Sequence, residues 1–118
     1  MAIAAVSFLL GACTNQPQVT SETDIDLNWC TFNIRYDEPN DSLNNWKYRK
    51  DTVASFIKAQ DLDVIGMQEV LHHQLNDMLE RLPEYAAIGV GRDDGATKGE
   101  YSCLLYKKDR FDVLESNT

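Results

Sequence analysis

The segment LDVIGMQEV at residues 62–70 does most to limit the folds open to this chain. Its apolar run predicts a buried β-strand that ends on Gln68 and Glu69. Because glutamate is rarely buried without a partner, two interpretations of Glu69 are open. It is either a solvated acid at the start of the next helix, where the helix dipole favours negative charge, or a metal ligand at the end of a core strand.

The surrounding sequence predicts strands and helices in alternation. Predicted strands cover residues 25–36, 62–68, 85–90, 101–107 and the start of 111–115, and predicted amphipathic helices cover 46–60 and 70–82. Asn44 or Asn45 is the expected N-cap of the first helix, and Pro83 ends the second. The first strand is apolar on both faces, so we expect it to be covered on both sides. This order indicates an α/β protein.

Composition narrows the function classes. A chain of 118 residues is enough for one small domain, and its formal net charge is −8. That charge argues against a basic surface that holds nucleic acid through phosphate contacts alone. A phosphate-bearing substrate stays open, because a bound divalent cation would supply positive charge.

The first 24 residues resemble an export signal and a tether. MAIAAVSFLLGAC is too short to span a bilayer, and LGAC at residues 10–13 resembles the lipobox of bacterial lipoproteins, although no Lys or Arg precedes it. The resemblance implies a signal peptide at 1–12, lipidation of Cys13, a polar tether through residue 24, and a protein exported across the inner membrane and anchored in the bacterial envelope, at its periplasmic side or its surface. A cytoplasmic protein with an apolar N-terminal strand is the alternative.

Cys30 and Cys103 lie inside apolar, strand-like runs. The spacing of the cysteines matches no zinc pattern. We expect two buried free thiols, with a disulfide left open by the sequence.

Polar groups stand at the ends of the first two strands. Asn33 and Arg35 end the first, and Glu69 ends the second. A strand–helix–strand unit usually makes its strands parallel, so both carboxyl ends should meet at the sheet edge where α/β proteins bind ligands. A carboxylate beside an amide oxygen suits Mg²⁺, and a guanidinium there would suit a phosphate oxygen.

Three stretches resemble the opening part of the endonuclease/exonuclease/phosphatase family. They are WCTFNIRYD, DVIGMQEV and IGVGRDDGATKGEYSCLLYKKDRFDVLES, and the likeness covers residues 25–118. The resemblance implies the N-terminal part of a deoxyribonuclease I-like, four-layer α/β sandwich, here truncated. It also implies hydrolysis of a phosphoester with Mg²⁺ or Mn²⁺. The substrate would be nucleic acid, a phospholipid head group or a sugar phosphate.

The same resemblance assigns roles to three residues. Glu69 falls on the metal ligand of the family, Asn33 on the residue that binds metal or orients substrate, and Arg35 on a phosphate contact. The later family motifs, which resemble GDFN and SDH and supply the general base and catalytic His, do not occur here. We therefore expect the 118-residue chain to be an incomplete and inactive part of an enzyme. The alternative is a lipid-anchored, non-catalytic binding module that reuses the fold.

Other polar residues receive less specific predictions. His72 and His73 are expected on the surface or in helix packing, and RDDG at 92–95 in a solvated turn, since the ligand spacing of a Ca²⁺ loop is missing. Glu100 and Tyr101 either face a substrate groove or simply start a strand. The remaining cations near the end of the chain are expected at a charged strand edge or turn: Lys107, Lys108 and Arg110.

Overall fold

The computed structural model describes residues 25–117, which form one mixed sheet with two helices. The strands are β1 (Trp29–Asn33), β2 (Val64–Val70), β3 (Tyr85–Ile88) and β4 (Tyr101–Lys107), and the helices are α1 (Trp46–Ala59) and α2 (His72–Arg81). The signal peptide, Cys13 and the tether predicted for residues 1–24 lie outside the described residues. In the described part of the chain, no helix has the length and apolar character needed to cross a bilayer.

The sheet has the strand order β1-β2-β4-β3. β1 and β2 are parallel, as the strand–helix–strand pattern predicts, and β4 runs antiparallel to both β2 and β3. The β1–β2 register places Asn33 opposite Gln68, so the carboxyl ends of these two strands lie side by side. The prediction that polar groups at the two strand ends share one edge of the sheet is confirmed.

The core lies between one face of the sheet and the two helices. Ile65 and Met67 of β2 pack in one apolar cluster with Ile57 of α1 and Met78 of α2. Asn45 is the N-cap of α1, and its side-chain oxygen accepts a hydrogen bond from the Lys47 N–H at 3.3 Å. Phe56, predicted on the buried face of α1, is instead half exposed and packs edge-on against Phe32.

The prediction that the first strand is covered on both faces is wrong for the described residues. Trp29 is 66 % exposed, and the strand begins at this residue and not at Ile25. The reason is that both helices contribute to a core on one side of the sheet, which leaves the alternate residues of β1 open. Apolar residues on both faces of a strand thus do not show that both faces are covered, because coverage depends on which elements pack against each face.

The strand predicted at 111–115 is also absent from the described residues, where 111–117 has no regular structure. Phe111 and Val113 instead line a hollow with Leu104 and Tyr106 of β4. The segment therefore runs across the open face of the sheet, where it meets side chains and no strand edge with which to pair.

Asp63 anchors the amino end of β2 from a buried position. Its carboxylate accepts the Asn28 N–H at 2.9 Å and contacts the Lys107 ammonium at 3.0 Å and the Arg110 guanidinium. The Asn28 N–H and these cations hold the pKa of Asp63 at about 2, below its ordinary 3.8. Lys107 and Arg110, predicted only as a charged edge or turn, therefore neutralise a buried carboxylate. Cys30 and Cys103 are free thiols, as expected, with Cys103 buried and Cys30 partly so.

Candidate functional site

Asn33 and Glu69 meet at the carboxyl edge of the parallel pair. The Asn33 side-chain N–H donates to one carboxylate oxygen of Glu69 at 2.7 Å. The second carboxylate oxygen accepts a long hydrogen bond of 3.4 Å from the Tyr36 N–H. The structure therefore brings together the two residues predicted for the metal site, although they are 36 positions apart in sequence.

The backbone at Glu69 is in the left-handed region, with φ of 57°. The β2–β4 register shifts between Met67 and Val70, and this irregularity contains Glu69. A bulge re-aims a side chain that would otherwise follow the alternation of the strand. For a residue with a Cβ the conformation costs about 1–2 kcal/mol, a strain that occurs most often at functional sites. The strain supports the interpretation of Glu69 as a functional residue over a solvated acid that opens a helix.

Arg35 lies in the turn after β1, also with a positive φ, of 59°. Its N–H donates to the Asn33 side-chain oxygen at 2.8 Å, so the turn fixes the orientation of that amide. Its guanidinium contacts Asp41 at 2.7 Å. Arg35 is therefore close to the site through its backbone, and its assigned contact with phosphate stays a prediction.

Gln74 is a buried polar residue that holds this turn against α2. Its side-chain oxygen accepts the Asp37 and Leu71 N–H groups, each at 3.1 Å, and its side-chain nitrogen donates to the Arg35 carbonyl at 3.0 Å. All three contacts anchor backbone around the Asn33–Glu69 pair. Sequence reasoning missed Gln74, because a Gln on the first turn of an amphipathic helix ordinarily points to solvent.

The histidines of α2 lie beside the site without entering it. His72 contacts the Tyr101 hydroxyl at 2.9 Å, and His73 contacts Asp37 at 2.9 Å. Both residues have exposed positions on the helix, as predicted. Their partners connect α2 to the start of β4 and to the turn after β1.

A second acidic residue, Glu100, lies at the mouth of the site. Glu69, Glu100 and Arg92 line one hollow of about 370 Å³, within the range of roughly 300–1,000 Å³ of small-molecule sites. Glu100 forms an ion pair with Arg92. Tyr101 starts β4 and is buried. Glu100 and Tyr101 both line this hollow, and that it is a substrate groove stays a prediction.

The donor set of the site fits a hard divalent cation in part. Glu69 is half buried, and its oxygens accept only the two hydrogen bonds given above, which leaves lone pairs for a metal. Mg²⁺ and Mn²⁺ take oxygen ligands, and Mg²⁺ keeps several waters, so one carboxylate and one amide oxygen are a usable start. Within residues 25–117, no group of three or more His, Cys, Asp or Glu side chains is placed to hold a metal ion.

Solved structures show the same fold in related proteins. An endonuclease/exonuclease/phosphatase from Bacteroides vulgatus is 63 % identical, with a TM-score of 0.78 over 80 % of this chain and 36 % of its own. A family protein from Bacteroides thetaiotaomicron is 43 % identical, with a TM-score of 0.73 over 75 % of this chain and 34 % of its own. A mannosyl-6-phosphatase from the same organism is 42 % identical, with a TM-score of 0.74 over 76 % and 34 %.

The chain thus spans about a third of the length of these solved neighbours. A comparison with curated proteins finds no match. The predicted fold class is confirmed, since the mixed sheet and its helices match the N-terminal portion of this α/β fold. Residues 30–117 match the pattern described as "Endonuclease/Exonuclease/phosphatase family". The chain therefore belongs to the endonuclease/exonuclease/phosphatase family.

Proposed function

We propose that the whole protein is a metal-dependent phosphoester hydrolase in which Glu69 binds Mg²⁺ or Mn²⁺. The observation that carries the proposal is the Asn33–Glu69 contact of 2.7 Å at the carboxyl edge of two parallel strands. That edge is where α/β sheets bind their ligands. The strained backbone of Glu69 supports the proposal, because a solvated acid needs no left-handed conformation.

The residues of this chain would prepare the site in three ways. Glu69 would supply an anionic oxygen ligand, and the Asn33 side-chain N–H holds that carboxylate by hydrogen bonding. The Arg35 N–H fixes the orientation of the Asn33 amide. A bound divalent cation would stabilise negative charge on the phosphoryl and leaving oxygens. The general base and the proton-donating His would come from residues outside this chain.

A sugar phosphate is the substrate that we place first. The support is a neighbour that is named a mannosyl-6-phosphatase and is 42 % identical over 76 % of this chain. The net charge of −8 also disfavours a long polyanion held by electrostatics alone. Lipidation of Cys13 would hold the enzyme at the bacterial envelope, where it would meet exported or extracellular phosphoesters.

The test is hydrolysis by the whole protein across three substrates with and without metal. Mannose 6-phosphate, a phosphodiester and a phospholipid are each assayed after chelation and after Mg²⁺ or Mn²⁺ is restored. We expect metal-restored activity that is highest on the sugar phosphate, and its loss in Glu69→Gln. Glu80→Gln is the matched control, since that side chain is 80 % exposed on α2.

Each outcome separates the alternatives. Activity that is unaffected by chelation would contradict the metal proposal, and a preference for the phosphodiester or phospholipid would contradict the substrate assignment. No hydrolysis of any substrate, together with retained ligand binding, would favour the lipid-anchored binding module.

A further inference from the structure

Two neighbouring hollows open at the site, and they share the same ion pair. The first contains Glu69 and Gln68, and the second contains Tyr36 and Asp37. Arg92 and Glu100 line both. The Tyr36 N–H also contacts the Glu69 carboxylate, so the two hollows adjoin at that residue. Arg92 therefore lines the hollow that contains Glu69 as well as the hollow beside it.

Arg92 is the one cationic side chain among the described residues that line either hollow. The other charged groups there are the carboxylates of Glu69, Glu100 and Asp37. Acidic walls repel a phosphate, so a metal alone would have to attract it unless a cation helps. A guanidinium is suited to this task, because its planar fork of donors matches two oxygens of a phosphate.

The backbone of Arg92 is fixed by its loop, and its side chain is largely exposed. The Arg92 N–H donates to the Glu100 carbonyl at 3.2 Å, and Asp94 accepts the Ala96 and Lys98 N–H groups at 2.8 and 2.9 Å. A Cβ at Gly91 would overlap the Lys98 carbonyl, so glycine is needed for this tight loop base. The loop therefore presents the arginine from a defined position.

The guanidinium keeps donors available for a ligand. Its side chain is 68 % exposed, and it contacts the Glu100 carboxylate and, at 3.4 Å, Asp93. With five N–H donors, a guanidinium in two ion pairs still has several without a protein partner. Arg35, by contrast, lines neither hollow and directs its guanidinium at Asp41.

We propose that Arg92 binds the phosphate of the substrate at the mouth of the Glu69 hollow. Glu100 holds the guanidinium in place until a phosphate displaces that carboxylate. The inference rests on the proposed function for its substrate class, but phosphate binding itself is measurable without turnover.

The experiment measures the dissociation constant of inorganic phosphate by calorimetry, using the whole protein in the presence and absence of Mn²⁺. Arg92→Ala should weaken phosphate binding about 10-fold, the scale of one lost charged hydrogen-bond pair. Arg92→Lys should lose less. Lys98→Ala is the matched control, because it removes an exposed cation from the same loop that lines neither hollow.

The variant Glu100→Gln distinguishes two roles of Arg92, the binding of phosphate and the positioning of Glu100. If Arg92 binds phosphate, freeing it from its carboxylate partner leaves binding equal or tighter. If Arg92 only positions Glu100, Arg92→Ala and Glu100→Gln weaken binding alike, and the inference is overturned. It is also overturned if wild type binds no phosphate, or if Arg92→Ala and Lys98→Ala have equal effects.

Hydrolysis kinetics provide the second measurement. On the best substrate, Arg92→Ala should raise KM about 10-fold with kcat little changed, which is the pattern of lost ground-state and transition-state binding in equal measure. If wild type binds phosphate through Arg92 but hydrolyses nothing, the proposed function fails and this inference stands. If hydrolysis is intact and phosphate binding is unchanged in Arg92→Ala, this inference fails and the proposed function stands.

Discussion

Replacement of Glu69 should affect the free energy of unfolding and the activity of the protein separately. The residue has a φ of 57°, which glycine adopts without strain and alanine does not. Glu69→Gly and Glu69→Ala both delete the carboxylate and its contacts with Asn33 and Tyr36. The two variants therefore differ in what the backbone conformation costs in the folded state and in the freedom of the unfolded chain.

The magnitude follows from the conformation. A Cβ in the left-handed region costs about 1–2 kcal/mol, which Glu69→Gly relieves. The greater freedom of glycine in the unfolded chain reduces this gain in the free energy of unfolding by about 0.4–1 kcal/mol. We expect the free energy of unfolding of Glu69→Gly to exceed that of Glu69→Ala by about 1 kcal/mol. Activity should fall in both by orders of magnitude, the scale of about 3 kcal/mol or more for a lost electrostatic stabiliser.

Urea unfolding of the whole protein, followed by tryptophan fluorescence, measures the stabilities, and phosphoester hydrolysis measures function. The m-values should agree between variants, so that the midpoints compare directly. A Glu69→Gly variant that is less stable than Glu69→Ala would refute the strain at Glu69. Wild-type activity in Glu69→Gly would refute the catalytic assignment, whatever the stabilities.

Three further predictions concern other parts of the chain. The Asn28 N–H and nearby cations hold the pKa of Asp63 at about 2 instead of 3.8, so its carboxylate should add about 2 kcal/mol to the free energy of unfolding, fully present above pH 3.8 and lost as the pH falls through 2. Asp63→Asn should remove this pH dependence from the free energy of unfolding. An unchanged pH profile in that variant would contradict the prediction. Mass spectrometry of the membrane fraction should find the N-terminus at a lipidated Cys13, whereas an intact Met1 would contradict export by this route. Residues 1–118 alone should associate and melt broadly, because Trp29 and Leu104 are exposed on the sheet; size-exclusion chromatography that finds a monomer with a sharp transition would contradict this.

The sequence predicts the parts of the fold that depend on local pattern and chain order. Apolar runs locate β2 and β4, and the helix between the first two strands makes them parallel, which brings Asn33 and Glu69 to one edge. These inferences succeed because periodicity and crossover geometry act over short, continuous segments.

The remaining features arise from contacts between distant segments. The left-handed backbone of Glu69 follows from the register shift against β4, which no local signal encodes. The buried ion cluster of Asp63 joins residues 44 positions apart, and Arg92 enters the site through the geometry of its loop. The coverage of β1 and the path of residues 111–117 depend on what packs against the sheet, so a pattern of apolar residues predicted both wrongly.

Binding of Mn²⁺ to the whole protein tests the central claim most directly. The bound and free ion can be counted by electron paramagnetic resonance as Mn²⁺ is titrated into wild type, Glu69→Gln and the control Glu80→Gln. If Glu69 supplies the anionic ligand, as proposed, its replacement should weaken Mn²⁺ binding by about 10-fold or more, on the scale of 1.4 kcal/mol per tenfold. Glu80→Gln should bind as wild type does. Equal dissociation constants for wild type and Glu69→Gln would contradict the claim that Glu69 is the metal ligand.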